Sequence, residues 1–140
     1  MAIYNTSFFG ALSTFFLQYK DRHGEEEALD FFEQFFLARL GLVYKQIGYE
    51  QGNPDHFARV VKKNDDDLGL DVSISAGNDV ITYCFITDPF PQLKGEVDPE
   101  KWDRTYMRPK LAILLGDGWT YETVSHRWKG DAVTEHVIRR

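Results

Sequence analysis

The stretch from Leu70 to Phe85 admits very few conformations. Leu70, Val72 and Ile74 alternate with Asp71, Ser73 and Ser75, and Ile81, Tyr83 and Phe85 alternate with Thr82 and Cys84. A period of two marks a strand with one buried face. Gly77-Asn78 between the two runs is a two-residue hairpin signal. Folding about that turn sets Ile74 opposite Ile81, Val72 opposite Tyr83 and Leu70 opposite Phe85, so the apolar side chains share one face. A one-residue slip would send one strand's apolar set to the other face, which favours this register. The polar face then carries Asp71 opposite Cys84 and Ser73 opposite Thr82. A hairpin with one apolar face needs a second layer to cover it.

Helical periodicity supplies that layer. Phe8, Leu12, Phe15, Phe16 and Tyr19 fall on one face of a helix predicted over Ser7 to Asp21, with Thr6 as its cap and His23-Gly24 as its end. A second helix opens at Glu25, where three glutamates complement the helix dipole. Its stripe is Leu29, Phe32, Phe36, Leu40 and Val43. Phe31 and Phe35 lie off that stripe, which predicts contact with two neighbours, one of them a second copy of the chain. Asn53-Pro54-Asp55 starts a short third helix through Phe57, Val60 and Val61, which the run Asn64 to Asp67 is expected to break. Asp98-Pro99-Glu100 starts a fourth, with a kink or break expected before Pro109 and closure at Gly116.

A second hairpin is expected from Trp119 to Arg139, turning at Gly130-Asp131. The pairs are then Trp128 with Val133, His126 with Glu135, Val124 with Val137 and Glu122 with Arg139, apolar pairs alternating with pairs of opposite charge. The fold class that follows is α+β, with helices packed on one face of a four-stranded antiparallel sheet made of two hairpins. At 140 residues the chain is sized for one domain, residues 1–140.

Composition narrows the function classes. The net charge of −6 argues against nucleic acid as a partner, which needs a basic footprint. The apolar runs fall short of a membrane span, and Met1 to Phe9 lacks the pattern of a secretory leader. A single cysteine, Cys84, forms no intrachain disulfide, so a reducing, cytoplasmic setting is expected. The 11 Phe, 7 Tyr and 3 Trp exceed what one small core needs, and predict an aromatic pocket or a homodimer interface.

No catalytic signature for phosphate, dinucleotide or acyl chemistry occurs, and none for metal. His56, His126 and His136 lack ligand spacing, and Asp65-Asp66-Asp67 lacks the spacing of a calcium loop. No metal or cofactor is therefore expected. His126 and Glu135 are the candidate catalytic residues, since a carboxylate beside an imidazole orients the ring and raises its basicity. The same pair also reads as a cross-strand ion pair that only fixes the hairpin. Tyr106, Arg108, Trp119 and Tyr121 are the candidate ligand-binding residues, with Arg108 suited to a carboxylate or phosphate. Cys84, with a carboxylate beside it, is expected to be a dull nucleophile.

The segment Tyr106-Met107-Arg108-Pro109, then Leu115-Gly116-Asp117-Gly118-Trp119, then Gly130-Asp131 resembles the C-terminal part of two related groups. They are the L-2-amino-thiazoline-4-carboxylic acid hydrolase-like proteins and the vinyl-4-reductase-type small-molecule-binding domains. The resemblance covers the last third of the chain. It implies an α+β fold, often dimeric, with a pocket between helices and sheet. Those groups commonly carry a cysteine shortly after the Gly-Asp turn, where this chain has Thr134, and the departure favours binding over hydrolysis. The leading expectation is a non-catalytic module for a small apolar or aromatic, possibly anionic, molecule. The alternatives are a small hydrolase using His126 and Glu135, and an accessory subunit docking through its Phe-rich helices.

Overall fold

The computed structural model describes residues 5–140; Met1 to Tyr4, which begin the stretch read for a leader, lie outside the described residues. The chain order is α1 (Thr6–His23), α2 (Glu25–Ile47), α3 (Pro54–Asp67), β1 (Val72–Ala76), β2 (Val80–Phe85), α4 (Pro99–Leu114), β3 (Thr120–Ser125) and β4 (Thr134–Arg139). The four strands form one antiparallel sheet in the order β1-β2-β4-β3. The two hairpins therefore meet through β2 and β4, and the helices cover one face, as the sequence pattern predicts. Among the described residues no helix is long and apolar enough to cross a membrane.

The helices form largely where expected, with informative differences. Asn5 rather than Thr6 caps α1, its side chain accepting from the Phe8 N–H at 3.0 Å. The buried face of α1 is Phe9, Leu12 and Phe16, so Phe15 points outward. α3 runs straight through Asn64 to Asp67 instead of breaking there. Lys62 and Lys63 pair with Asp66 and Asp67 one turn on, and Asp65 turns inward. Helical i, i+4 pairing of this kind offsets the poor propensity of the acidic run. α4 likewise continues through Pro109 as one element. Proline removes one hydrogen bond at a cost of about 3 kcal/mol, which burial of Trp102, Met107 and Leu114 against the core outweighs.

The first hairpin keeps its predicted face but not its register. The second keeps neither, since the expected apolar pair Val124 and Val137 lies on the face of Glu135, and Thr134, His136 and Ile138 are the side chains that β4 buries. In the first, Val72 pairs with Phe85, Ile74 with Tyr83 and Ala76 with Ile81. The turn is Asn78-Asp79, closed by the Gly77 N–H on the Val80 carbonyl at 2.8 Å, rather than Gly77-Asn78. The shift is two residues, and the period of the strand preserves the apolar face through it. Cys84 consequently lies opposite Ser73, not Asp71.

In the second hairpin Thr120 pairs with Arg139, Glu122 with Val137 and Thr123 with His136. A bulge at Val124 then puts Ser125 opposite Glu135. The connection is not a tight turn at Gly130-Asp131. It contains a 3₁₀ turn over Arg127–Lys129, ended by Gly130 at φ 94°, with the Asp131 carboxylate accepting from the His126 N–H at 2.9 Å. The extra residue in β3 and the longer connection together move His126 away from Glu135.

Candidate functional site

The site begins with charges on an apolar stripe. α4 buries Trp102, Asp103, Tyr106, Met107, Lys110, Leu111 and Leu114 on its inner side. α3 buries Phe57, Val61 and Asp65, spaced four apart. Helical geometry therefore carries Asp65, Asp103 and Lys110 into the layer between helices and sheet, where each needs a partner. β2 and β4 supply those partners. Their core-facing side chains Tyr83 and His136 are direct cross-strand neighbours.

Lys110 Nζ donates to the Tyr83 hydroxyl at 2.8 Å, and Tyr83 donates its own hydrogen to Asp65 Oδ2. Asp65 Oδ1 lies 4.0 Å from Nζ. The nitrogen also sits 4.8 Å from the centroid of the Tyr83 ring and 5.1 Å from that of Tyr106, within cation–π range. Burial pushes the Lys110 amine below its ordinary value, against the opposing pull of Asp65 and Asp103. Burial pushes the Asp65 carboxyl up, against Lys110 and the Tyr83 hydrogen bond. Both groups are thus driven toward their neutral forms, with a hydroxyl bridging them. Burial and Asp65 raise the Tyr83 hydroxyl well above its ordinary value. Tyr44 is buried nearby, its hydroxyl without a hydrogen-bond partner among the described residues, and is raised for the same reasons.

A second cluster adjoins the first. Asp103 Oδ2 lies 2.9 Å from His126 Nε2 and 3.8 Å from His136 Nε2. The Trp128 N–H donates to His126 Nδ1 at 3.0 Å, so Nε2 carries the hydrogen given to Asp103. Tyr106 hydrogen-bonds Asp103, and burial raises its hydroxyl well above the ordinary value. His136 Nδ1 shares a hydrogen with Thr123 Oγ1 at 2.9 Å, while its Nε2 has no hydrogen-bond partner among the described residues. Burial pushes His136 down to about 4.

A cavity of about 190 Å³ opens beside Lys110. Its walls include Phe9, Phe35, Phe36, Phe90 and Tyr106; Asp65 and Lys110 supply its buried charged groups, and Asn5 and Arg39 are exposed at its rim. A separate open groove of about 820 Å³ runs along the outer side of α4 past Arg104, Arg108, Trp119 and Tyr121. Arg108 there pairs with Glu33 at 3.5 Å. Burial and Asp103 push the Tyr121 hydroxyl up to about 12, with Arg104 and Arg108 opposing. The groove is larger, but the cavity is the one that combines ring walls with a buried cation.

The structure divides the predicted site residues. Arg108, Trp119 and Tyr121 share the groove, whereas Tyr106 faces the cavity. His126 and Glu135 are not brought together: His126 is buried against Asp103, and Glu135 lies on the other face of β4, in register with Cys84 and Ser125. The carboxylate partner of His126 is therefore Asp103, reached from a helix and not across the hairpin. The sequence reading missed Asp65, Lys110 and Asp103. Their signal was a charged residue at helical spacing within an apolar stripe, as in Phe57, Val61, Asp65. Among the described residues no group of three or more His, Cys, Asp or Glu is placed to hold a metal ion. No family model matches the chain, and no curated protein matches its sequence.

Proposed function

We propose that the protein binds a small apolar or aromatic molecule in the cavity beside Lys110, with a hydrogen-bond-accepting end of the ligand at the Lys110 nitrogen. One observation carries this reading. A lysine nitrogen has up to three hydrogens to donate, and among the described residues only the Tyr83 hydroxyl accepts one. Ring-walled pockets with a few polar groups are the usual form of a small-molecule site. A dry cavity of about 150 Å³ holds benzene, so about 190 Å³ suits a single substituted ring. The resemblance of the last third of the chain implies the same kind of pocket between helices and sheet.

Benzoate is the test ligand. It should raise the melting temperature saturably by mass action, and Val43→Phe, which adds bulk at the cavity wall, should abolish the effect. A melting temperature unmoved by millimolar benzoate, or moved equally in the variant, would overturn the reading.

A second reading rests on a different surface. Phe15 and Phe31 are 52% and 39% exposed and stack with their ring centroids 5.9 Å apart. Tyr19 stacks on Phe31 at 4.7 Å. This aromatic cluster on α1 and α2 supports self-association. Phe35, the other residue expected to serve there, lines the cavity instead.

A further inference from the structure

We infer that Lys110 is a carbonyl-capturing amine: the cavity admits a small apolar aldehyde or ketone, and Lys110 Nζ condenses with its carbonyl carbon to form an imine. The inference rests on the cavity proposed above and adds covalent chemistry to it. Three features of the geometry support it.

The nitrogen is buried at the wall of a cavity lined by Phe35, Phe36 and Phe90, so an apolar carbonyl compound is held against it. It has an outlet for its proton. Nζ, the Tyr83 hydroxyl and Asp65 Oδ2 form a continuous donor–acceptor chain. The electrostatics favour use of that outlet, since burial disfavours both the ammonium and the carboxylate at its ends. Lysines desolvated in apolar pockets are the ones that act as Schiff-base nucleophiles.

The step balances without any further reagent. Nζ passes a proton to the Tyr83 oxygen as Tyr83 passes its own to Asp65, which leaves a neutral amine and a protonated carboxyl. The nitrogen lone pair forms the C–N bond, the carbonyl π pair moves to oxygen, and that oxygen takes a proton from nitrogen. The C–O bond then breaks, and the hydroxyl departs as water with the proton returned from Asp65 through Tyr83. The product is a protonated imine facing the Asp65 carboxylate, with the same net charge as the starting pair.

The experiment treats the whole protein with benzaldehyde and sodium cyanoborohydride at neutral pH and maps the benzyl groups by peptide mass spectrometry. The neutral amine is the form that condenses, and burial favours it at Lys110. Lys110 should therefore be benzylated faster than exposed lysines such as Lys62 and Lys129, whose ammonium groups lie at the surface in ion pairs with Asp66 and Glu100. Val43→Phe and excess benzoate should each suppress the Lys110 adduct while leaving surface labelling unchanged. Benzyl groups spread over the surface lysines and missing from Lys110, in protein that still binds benzoate, would overturn the imine and leave the binding reading standing. Loss of both benzoate binding and the adduct would overturn the two together.

Discussion

Lys110 Nζ lies 2.8 Å from the Tyr83 hydroxyl, joining α4 to β2 across 27 residues of sequence. Removing one member of such a buried ionic group strands the other. Lys110→Met should therefore destabilise the fold by roughly 3–5 kcal/mol, because it leaves the Asp65 carboxyl buried without its cation. The double variant Lys110→Met/Asp65→Leu should recover most of that loss. Urea unfolding of the single and double variants checks both statements.

Acid should weaken the fold through His136. Its folded pKa is about 4, below an unfolded value near 6.5, so the unfolded state binds the proton more readily. The contribution is fully present above the unfolded value and is lost as the pH falls through the folded one. At about 1.4 kcal/mol per unit, the loss on descending from about pH 6.5 to about pH 4 is roughly 3 kcal/mol. His136→Gln should flatten the stability profile across that window, as read by denaturant unfolding at a series of pH values.

Adjacent phenylalanines on α2 should behave oppositely. Phe32 is buried against Phe16 and Trp102, whereas Phe31 faces outward. Phe32→Ala should cost about 3–5 kcal/mol. Phe15→Asp with Phe31→Asp should leave the fold intact and reduce the hydrodynamic size if the aromatic cluster pairs two copies. An unchanged elution volume in size-exclusion chromatography would remove the self-association reading.

Cys84 should alkylate slowly. Burial raises its thiol first and the Glu135 carboxylate second, while a hydrogen bond from Ser73 opposes them. The thiolate is the reactive form. Glu135→Gln should speed reaction with iodoacetamide a few-fold at mildly alkaline pH, and Ser73→Ala should slow it.

The sheet and the face of its first hairpin were legible because a period of two survives an error of register. Moving Tyr83 from Val72 to Ile74 changes its partner and keeps its face. The same tolerance does not extend to a named pair. His126 and Glu135 depended on an unbroken ladder, and the bulge at Val124 with the 3₁₀ turn at Arg127–Lys129 disposed of it. The end of α3 was misplaced because an acidic run reads as a loop until its lysine partners one turn away are counted. Lys110 and Asp65 went unremarked for a further reason. Each sits within a helix whose ends and apolar residues explain it well enough, and only the sheet strand that arrives between them shows why they are charged.

The strand order gives those buried charges another effect. Asp65 comes from α3, Tyr83 from β2, Asp103 and Lys110 from α4, and His136 from β4, so the cluster is complete only when both hairpins and both helices have docked. Sliding α4 along the sheet by one turn, about 5.4 Å, would still bury a stripe of large apolar side chains. It would carry Lys110 out of reach of Tyr83 and Asp103 out of reach of His126, leaving charges buried alone at a cost of roughly 3–5 kcal/mol each. Oil-like packing is forgiving of such errors, and the charges make the layer intolerant of them, so the two halves of the chain are held to one alignment.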